Sequence, residues 1–215
     1  MNLNCYIEHT MLKATATFID IDKIINEAVE NNFLGICIPP CYIKYAKEKL
    51  KNKNIKLVTV IGFPLGANES DVKAFEAKKA IDNGADEVDM VINIGFARSN
   101  RWDLVEKDIE KVRNATLNKI LKVILETDYL NDDEIKRACE ICVKQKVDYV
   151  KTSTGFAKNG VGATVEKIKM LSSLVKPYGI KVKASGGIRT KEHAISFIEV
   201  GANTLGTSSG CEIVK

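Results

Sequence analysis

The sequence lacks the features of a membrane or secreted protein. No apolar run approaches the roughly 20 residues that a membrane-spanning helix needs. Residues 1–13 include Cys5, Glu8 and His9 and contain no apolar stretch of the kind that a secretory signal peptide carries. We therefore expect a protein that does not enter the membrane and that resides in the cytoplasm.

A large excess of charge of one sign is also missing. The chain has 32 Lys and Arg residues against 28 Asp and Glu residues, a formal net charge of +4. So small a surplus gives no support to a nucleic-acid-binding surface, and we expect no nucleic-acid partner. The hydrophobic content of 45% is that of a globular protein, and 215 residues are enough to bury a sizeable core.

Metal-ligand patterns are scarce as well. The only histidines are His9 and His193, and nothing in their spacing pairs them. Cys139 and Cys142 form a close pair, but no second pair supplies the remaining ligands of a zinc site. Both cysteines lie on the apolar stripe of a predicted helix, which favours buried, reduced thiols. We therefore expect no metal site.

The sequence does contain a repeated unit. Eight short segments rich in strand-forming residues recur along the chain, at 5–9, 33–38, 55–63, 86–94, 119–127, 147–153, 180–185 and 203–208. Helical patterns separate them, and candidate N-caps of these helices are Asp20, Ser70, Asn131, Thr164 and Thr190. No linker rich in Pro or Ser interrupts the alternation.

This alternation predicts the fold. Eight strand-helix units of about 27 residues account for all 215 residues, and connections of that length indicate parallel strands joined by helical crossovers. We therefore predict an α/β protein, a single (β/α)8 TIM barrel spanning residues 1–215 as one domain. A doubly wound open sheet is the alternative, because its local pattern is the same.

Two lysines interrupt apolar strands near their carboxyl ends, where TIM barrels place their active sites. Lys151 and Lys183 each lie opposite the apolar face of their strand, so both are predicted to point into the barrel. A single such lysine is more often part of a structural salt bridge. Two on adjacent strands repel each other, which lowers the pKa of one and favours a Schiff-base nucleophile.

Asp89 is predicted to share that interior. In the fourth strand Val88 and Met90 alternate with Asp89 and Val91, so the carboxylate lies on the same inward face as the lysines. It can neutralise the lysines or move protons during bond making and breaking, and the two roles are compatible.

Glycine and serine clusters follow the last three strands, at 153–155, 185–187 and 206–210. Small residues let backbone N–H groups approach an anion closely, and barrels often bind phosphate at this place. Each cluster alone is more often an ordinary turn, and none matches the P-loop or the dinucleotide-binding pattern. Their joint position favours a phosphate site.

Seven strings resemble the deoxyribose-phosphate aldolase family in order along nearly the whole chain: Ile7–Lys13, Ile61–Gly66, Glu87–Asn93, Leu121–Thr127, Val150–Gly155, Val182–Arg189 and Gly206–Gly210. The most specific are Lys-Thr-Ser-Thr-Gly at 151–155 and Lys-Ala-Ser-Gly-Gly at 183–187. The resemblance implies a class I aldolase without a cofactor. It would cleave 2-deoxy-D-ribose 5-phosphate reversibly to acetaldehyde and glyceraldehyde 3-phosphate through a lysine Schiff base.

The resemblance also implies roles for individual residues. Lys151 matches the Schiff-base lysine, Lys183 the second lysine, and Asp89 the aspartate that transfers protons. The residues implied to bind the substrate phosphate are Gly155, Gly186, Gly187, Gly206, Ser208 and Ser209. The implied partners are small molecules, the phosphorylated deoxy sugar and acetaldehyde, and a homo-oligomer is left open.

The chain departs from the family pattern in places. Glu8 stands where some members carry Asp, and Phe156 stands where some carry a lysine near the phosphate. We therefore expect the phosphate site to rely more on backbone N–H groups. Because the chain ends five residues after Gly210, we expect no C-terminal tyrosine at the site.

Two other functions are compatible with the residues alone. A different sugar-phosphate enzyme on a barrel, such as an epimerase or isomerase, would share the phosphate loops but would not need two interior lysines. A non-catalytic sugar-phosphate sensor would bind the anion without a reactive amine.

Overall fold

Eight parallel strands close into a barrel in the computed structural model, which describes residues 1–215. The strands are β1 (Ile7–Thr10), β2 (Gly35–Ile38), β3 (Lys56–Ile61), β4 (Glu87–Val91), β5 (Ile120–Ile124), β6 (Tyr149–Lys151), β7 (Lys181–Ser185) and β8 (Thr204–Thr207). Each pairs with the next in the chain, and β8 pairs with β1. The predicted (β/α)8 barrel is confirmed, and closure excludes the open-sheet alternative.

Nine α-helices complete the fold: α1 (Phe18–Glu30), α2 (Ile43–Lys49), α3 (Ser70–Asp82), α4 (Ile94–Arg98), α5 (Trp102–Thr116), α6 (Asp132–Lys144), α7 (Val165–Val175), α8 (Lys191–Glu199) and α9 (Gly210–Ile213). None is both long enough and apolar enough to span a bilayer. Short 3-10 turns at Asn4–Tyr6, Pro40–Tyr42 and Lys176–Tyr178 fill some of the connections.

Three of the five predicted N-caps are confirmed. Asn131, Thr164 and Thr190 each accept a backbone N–H from the first turn of their helix. Asp20 is wrong as a cap, because the cap of α1 is Thr17 and Asp20 lies three residues later, where its carboxylate accepts the Thr17 N–H at 2.8 Å. Ser70 is also wrong by one position, since it is the first residue of α3.

The alternation along the strands separates an apolar layer from a charged interior. Val88, Met90, Val150 and Val182 belong to a cluster of 50 buried residues that also includes apolar helix residues. On each strand, the residues that alternate with these apolar residues point the other way, into the barrel. Cys139 and Cys142 of α6 are buried free thiols in the same apolar cluster, as predicted.

One buried ion pair joins helices outside the barrel. The Lys73 Nζ atom on α3 lies 2.6 Å from Asp108 Oδ2 on α5 and donates to the Val91 carbonyl at 2.9 Å. Both side chains are at most 1% exposed. Burial lowers the pKa of Lys73 and raises the pKa of Asp108, because desolvation disfavours both charged forms.

Replacing one partner of this pair should destabilise the fold strongly. Lys73→Met leaves the Asp108 carboxylate buried without a counter-charge, and the free energy of unfolding should fall by about 3–5 kcal/mol in urea titrations. Lys78→Met is the matched control, because Lys78 pairs with Asp82 in solvent and such pairs contribute less than about 1 kcal/mol. Equal losses in the two variants would contradict the role given to the buried pair.

Candidate active site

The three residues predicted to be catalytic meet inside the barrel. Lys151 is the last residue of β6, and Asp89 and Lys183 lie in the middle of β4 and β7. The Nζ atoms of Lys151 and Lys183 both donate to Oδ2 of Asp89, at 2.8 Å and 2.6 Å respectively. Lys151 is the one member of the trio with measurable side-chain exposure, at 3%, whereas the other two are at 0%. The amine of Lys151 is therefore the most accessible of the three groups.

Three further charged residues surround this trio. Lys183 Nζ also donates to Glu8, and Lys122 Nζ donates to Glu87. Lys122 Nζ lies 3.3 Å from both Glu8 Oε1 and Asp89 Oδ1. The interior thus contains three lysines and three carboxylates, which we call the lysine-carboxylate cluster: Glu8, Glu87, Asp89, Lys122, Lys151 and Lys183.

The carboxylates fix the protonation of Lys183 and Asp89. Burial alone would lower the pKa of Lys183, but the charges of Asp89 and Glu8 outweigh it and hold that pKa above its ordinary value. Burial would likewise raise the pKa of Asp89, but the three surrounding lysines hold it well below its usual range. Lys183 is therefore an ammonium group and Asp89 a carboxylate at neutral pH.

This arrangement corrects the argument from repulsion between two lysines. The prediction assumed that the amino groups of Lys151 and Lys183 face each other directly. In the structure both donate to one oxygen of Asp89. Lys122 and Glu87 were missed, although both are charged residues in otherwise apolar strands. Their position on the inward face could have been predicted from the alternation along the strands. The partner that each one contacts could not.

A cavity of about 540 Å³ opens at the carboxyl ends of the strands. Five of the six residues predicted to bind phosphate line it: Gly155, Gly186, Gly187, Gly206 and Ser208. Ser209 is not in the wall, and its backbone N–H already donates to the Thr207 hydroxyl at 3.0 Å. Lys151, Lys183 and Asp89 do not contribute to the wall; they lie in the strands that lead to it.

Close backbone packing requires two of these glycines. Gly186 has φ +87° and Gly187 has φ +76°, in the left-handed region that favours glycine. A Cβ at Gly187 would lie 2.8 Å from the Val161 carbonyl oxygen, so a side chain does not fit there. The loop after β7 is therefore held against the chain around Val161.

Positive side chains that sequence reading missed also line the cavity. Lys13, Lys23 and Arg189 contribute to the wall, together with Phe156. Phe156 packs edge-to-face on Phe63, with ring centroids 5.3 Å apart. The wall thus combines glycine-rich backbone with three cationic and three acidic side chains, and its backbone N–H groups and cations are the parts suited to an anionic ligand.

Glu126 holds the loop that follows Lys151. Its buried carboxylate accepts the backbone N–H of Thr154 at 3.2 Å and also the Thr154 hydroxyl. Burial raises the pKa of Glu126, and its φ of +55° is uncommon for a residue with a side chain. The sequence hint was an acid directly after an apolar strand. We conclude that Glu126 positions residues 152–155, which lead from Lys151 to the cavity wall.

Three ligand-type side chains also meet in the cavity wall. His9, Glu27 and Cys211 offer nitrogen, oxygen and sulfur atoms within 4.8 Å of one another. His9 Nε2 lies 2.8 Å from Glu27 Oε2. No spacing in the sequence indicates this group, because its members come from β1, α1 and α9.

Known proteins share both the sequence and this fold. A family model described as "DeoC/LacD family aldolase" matches residues 5–215. A protein of Finegoldia magna named deoxyribose-phosphate aldolase is 52% identical over 215 residues, which is 100% of both chains. One from Lactococcus lactis subsp. lactis with the same name is 50% identical over 100% of this chain and 96% of its own.

A solved structure agrees. The structure described as a tetrameric deoxyribose phosphate aldolase from Aeropyrum pernix superposes with a TM-score of 0.89 at 30% identity, covering 99% of this chain and 89% of that one. The resemblance read from the seven strings is thereby confirmed. The chain forms a closed barrel with paired interior lysines, and the family model matches nearly its whole length. The chain therefore belongs to the DeoC/LacD family of aldolases.

Proposed function

We propose that the chain cleaves 2-deoxy-D-ribose 5-phosphate reversibly to acetaldehyde and D-glyceraldehyde 3-phosphate, with Lys151 as the imine-forming amine. The observation that carries the proposal is the meeting of Lys151 and Lys183 on one oxygen of Asp89. The Finegoldia magna and Lactococcus lactis relatives, which are named deoxyribose-phosphate aldolase, support the choice of substrate. An epimerase or isomerase would give such a pair of lysines no task.

The first step joins enzyme and substrate. The neutral amine of Lys151 attacks C1 of the open-chain sugar, and the C1 oxygen takes up one proton from solvent and leaves as water, which leaves a protonated imine. Lys183 is an ammonium group and donates a hydrogen bond to the oxygen as it leaves. The substrate carbon is then covalently held by Lys151.

The charge balance of the cluster favours this intermediate. Three carboxylates face three lysines, so the cluster is neutral when the side chain at position 151 carries one positive charge. A protonated imine carries that charge until bond cleavage converts it to the neutral enamine, and carries it again once the enamine is protonated at C2. Preorganised carboxylates therefore stabilise the imine cation without rearranging, which is a main source of catalysis in buried sites.

Bond cleavage uses the imine as an electron sink. The C3 hydroxyl loses its proton, the C2–C3 electron pair moves to form the enamine, and C3 leaves as the aldehyde of glyceraldehyde 3-phosphate. We assign the proton transfer to Asp89 and Lys183 acting through a water molecule. Because the pKa of Asp89 is held low, it holds the proton only transiently. Protonation of the enamine at C2 and hydrolysis release acetaldehyde and restore Lys151.

The phosphate is assigned to the cavity wall. Gly155, Gly186, Gly187, Gly206 and Ser208 would present backbone N–H groups to it. We do not assign Ser209 to the phosphate, because its N–H already donates to the Thr207 hydroxyl. Its role is to position the start of α9. Arg189 joins the assignment as a cation at the same wall.

The proposal extends to assembly and compartment. Exposed apolar residues Val72 and Phe75 lie three residues apart on α3 and support self-association, as does the tetramer in the description of the Aeropyrum pernix protein. A phosphorylated sugar is charged and crosses lipid poorly, so we place the reaction in the cytoplasm.

Reductive trapping should identify the nucleophile. Incubation with acetaldehyde and borohydride should add one two-carbon unit to Lys151 and abolish turnover, as read by peptide mass spectrometry. Lys151→Arg should give no adduct, and the exposed Lys158→Arg control should behave like the parent protein. An adduct confined to another lysine would overturn the assignment.

Loss of the second lysine should separate imine formation from turnover. Lys183→Leu removes the ammonium group that Asp89 and Glu8 share, so turnover at pH 7 should fall by about 10²–10⁴-fold. Imine trapping at Lys151 should fall less than turnover does, because the amine that forms the imine is still present. The control is Lys181→Leu, an exposed residue of the same strand. Unchanged turnover in Lys183→Leu, or an equal loss of turnover and of imine trapping, would reject the role of Lys183.

A negative charge in the wall should select against the phosphate. Ser208→Glu should raise the KM for the phosphorylated sugar by about tenfold or more, the factor that about 1.4 kcal/mol of repulsion gives. The effect on unphosphorylated deoxyribose should be smaller, and Ser173→Glu on the exposed side of α7 should change neither. Equal losses on both sugars would remove the phosphate from this wall.

A further inference from the structure

A second group of reactive side chains lines the cavity and takes no part in the mechanism above. His9 of β1, Glu27 of α1 and Cys211 of α9 bring their ligand atoms within 4.8 Å of one another. His9 is 3% exposed, and the Glu27 side chain is 29% exposed. We propose that these three residues form a binding site for a divalent transition metal of the Zn²⁺ class.

The donor atoms determine the class of ion. An imidazole nitrogen, a carboxylate oxygen and a thiolate sulfur form a set that Zn²⁺ accepts, whereas Mg²⁺ and Ca²⁺ prefer oxygen alone. The carboxylate and the thiolate together neutralise a doubly charged ion. Three protein ligands leave the fourth tetrahedral position for water, and all three residues line the cavity, from which that water can enter.

The nitrogen and oxygen donors require only a small adjustment. His9 Nε2 and Glu27 Oε2 are 2.8 Å apart, which is hydrogen-bond distance. Tetrahedral Zn²⁺, with bonds of about 2.0–2.2 Å to nitrogen and oxygen, holds such atoms about 3.4 Å apart. The pair therefore needs to open by about half an ångström, and any proton on Nε2 moves to Nδ1 of the same ring or to solvent as the ion binds. Glu27 is partly exposed and has room for that movement.

Neighbouring groups support the sulfur ligand. The Asn31 side-chain amide lies 3.8 Å from Cys211 Sγ as a hydrogen-bond donor, and it is held in place by a second bond of 2.8 Å to the Glu27 carbonyl. A donor beside a coordinating sulfur stabilises the thiolate form. The nearest competitor for Glu27 is Lys23, whose Nζ atom is 3.8 Å away and whose side chain is mostly in solvent, so it opposes an ion only weakly.

A metal at this position would connect the last helix of the chain to its first strand and first helix. It would tie α9, near the end of the chain, to β1 and α1. Ser208 lies two residues before α9, so the ion would also order one side of the cavity wall. Because the three ligands come together only in the folded chain, binding should raise Tm progressively, with the logarithm of metal concentration above Kd.

Cobalt provides a readout that is independent of any enzymatic activity. Co²⁺ added to the reduced protein should bind one ion per chain and produce a near-ultraviolet thiolate-to-cobalt charge-transfer band. One equivalent of Zn²⁺ should remove that band by displacement. Absence of the band in the parent protein would reject the site outright.

Matched variants locate the ligands. Cys211→Ser should lose the charge-transfer band and the metal-dependent rise in Tm, whereas Cys41→Ser, which removes an exposed thiol, should keep both. Glu27→Gln should weaken Co²⁺ binding by about tenfold or more, and Glu30→Gln, on the same helix, by less than about twofold. Metal-free Tm values show whether each variant folds. A band that persists in Cys211→Ser, or equal effects of the two glutamate variants, would overturn the proposal.

Discussion

The carboxylate of Asp89, which accepts hydrogen bonds from the amino groups of both Lys151 and Lys183, is the interaction on which the rest of the site depends. Each of these charges is buried, and a buried charge without a partner costs several kcal/mol. The fold can therefore hold the amino groups of Lys151, Lys183 and Lys122 in its interior only because three carboxylates pair with them. These carboxylates belong to Asp89, Glu8 and Glu87. The same requirement makes the interior of this barrel polar, with its apolar core between the strands and the helices.

The cluster gives chemically identical side chains different surroundings. Lys183 contacts two carboxylates and remains an ammonium group, whereas Lys151 contacts one and lies at the end of its strand, nearest to the cavity. One lysine thus supplies a fixed positive charge and the other is placed to react. Glu126 and the glycines of the following loops then shape the cavity wall to which we assign the substrate phosphate in our proposal.

The sequence predicted the layout of this site better than its contacts. Period-two alternation was enough to place Asp89, Lys151 and Lys183 on inward faces, because the apolar layer on the other face constrains the register of each strand. Partner choice was not predictable, since Glu8 and Lys183 are 175 positions apart and meet only when β8 pairs with β1. Ser209 shows the same limit: its role depends on whether Thr207 occupies its N–H, which no local pattern reveals. The N-cap of α1 was missed because the side chains of Thr17 and Asp20 each accept the other's backbone N–H. The sequence alone favoured the acidic residue as the cap.

The central claim is that the interior carboxylates keep Lys183 protonated. It is tested most directly by following the Nζ resonance of Lys183 in ¹⁵N-lysine-labelled protein during a pH titration, with the resonance assigned by its absence in Lys183→Leu. The account predicts that Lys183 remains an ammonium group through pH 10.4, about where a free lysine is half deprotonated. Deprotonation of Lys183 at or below neutral pH would contradict it.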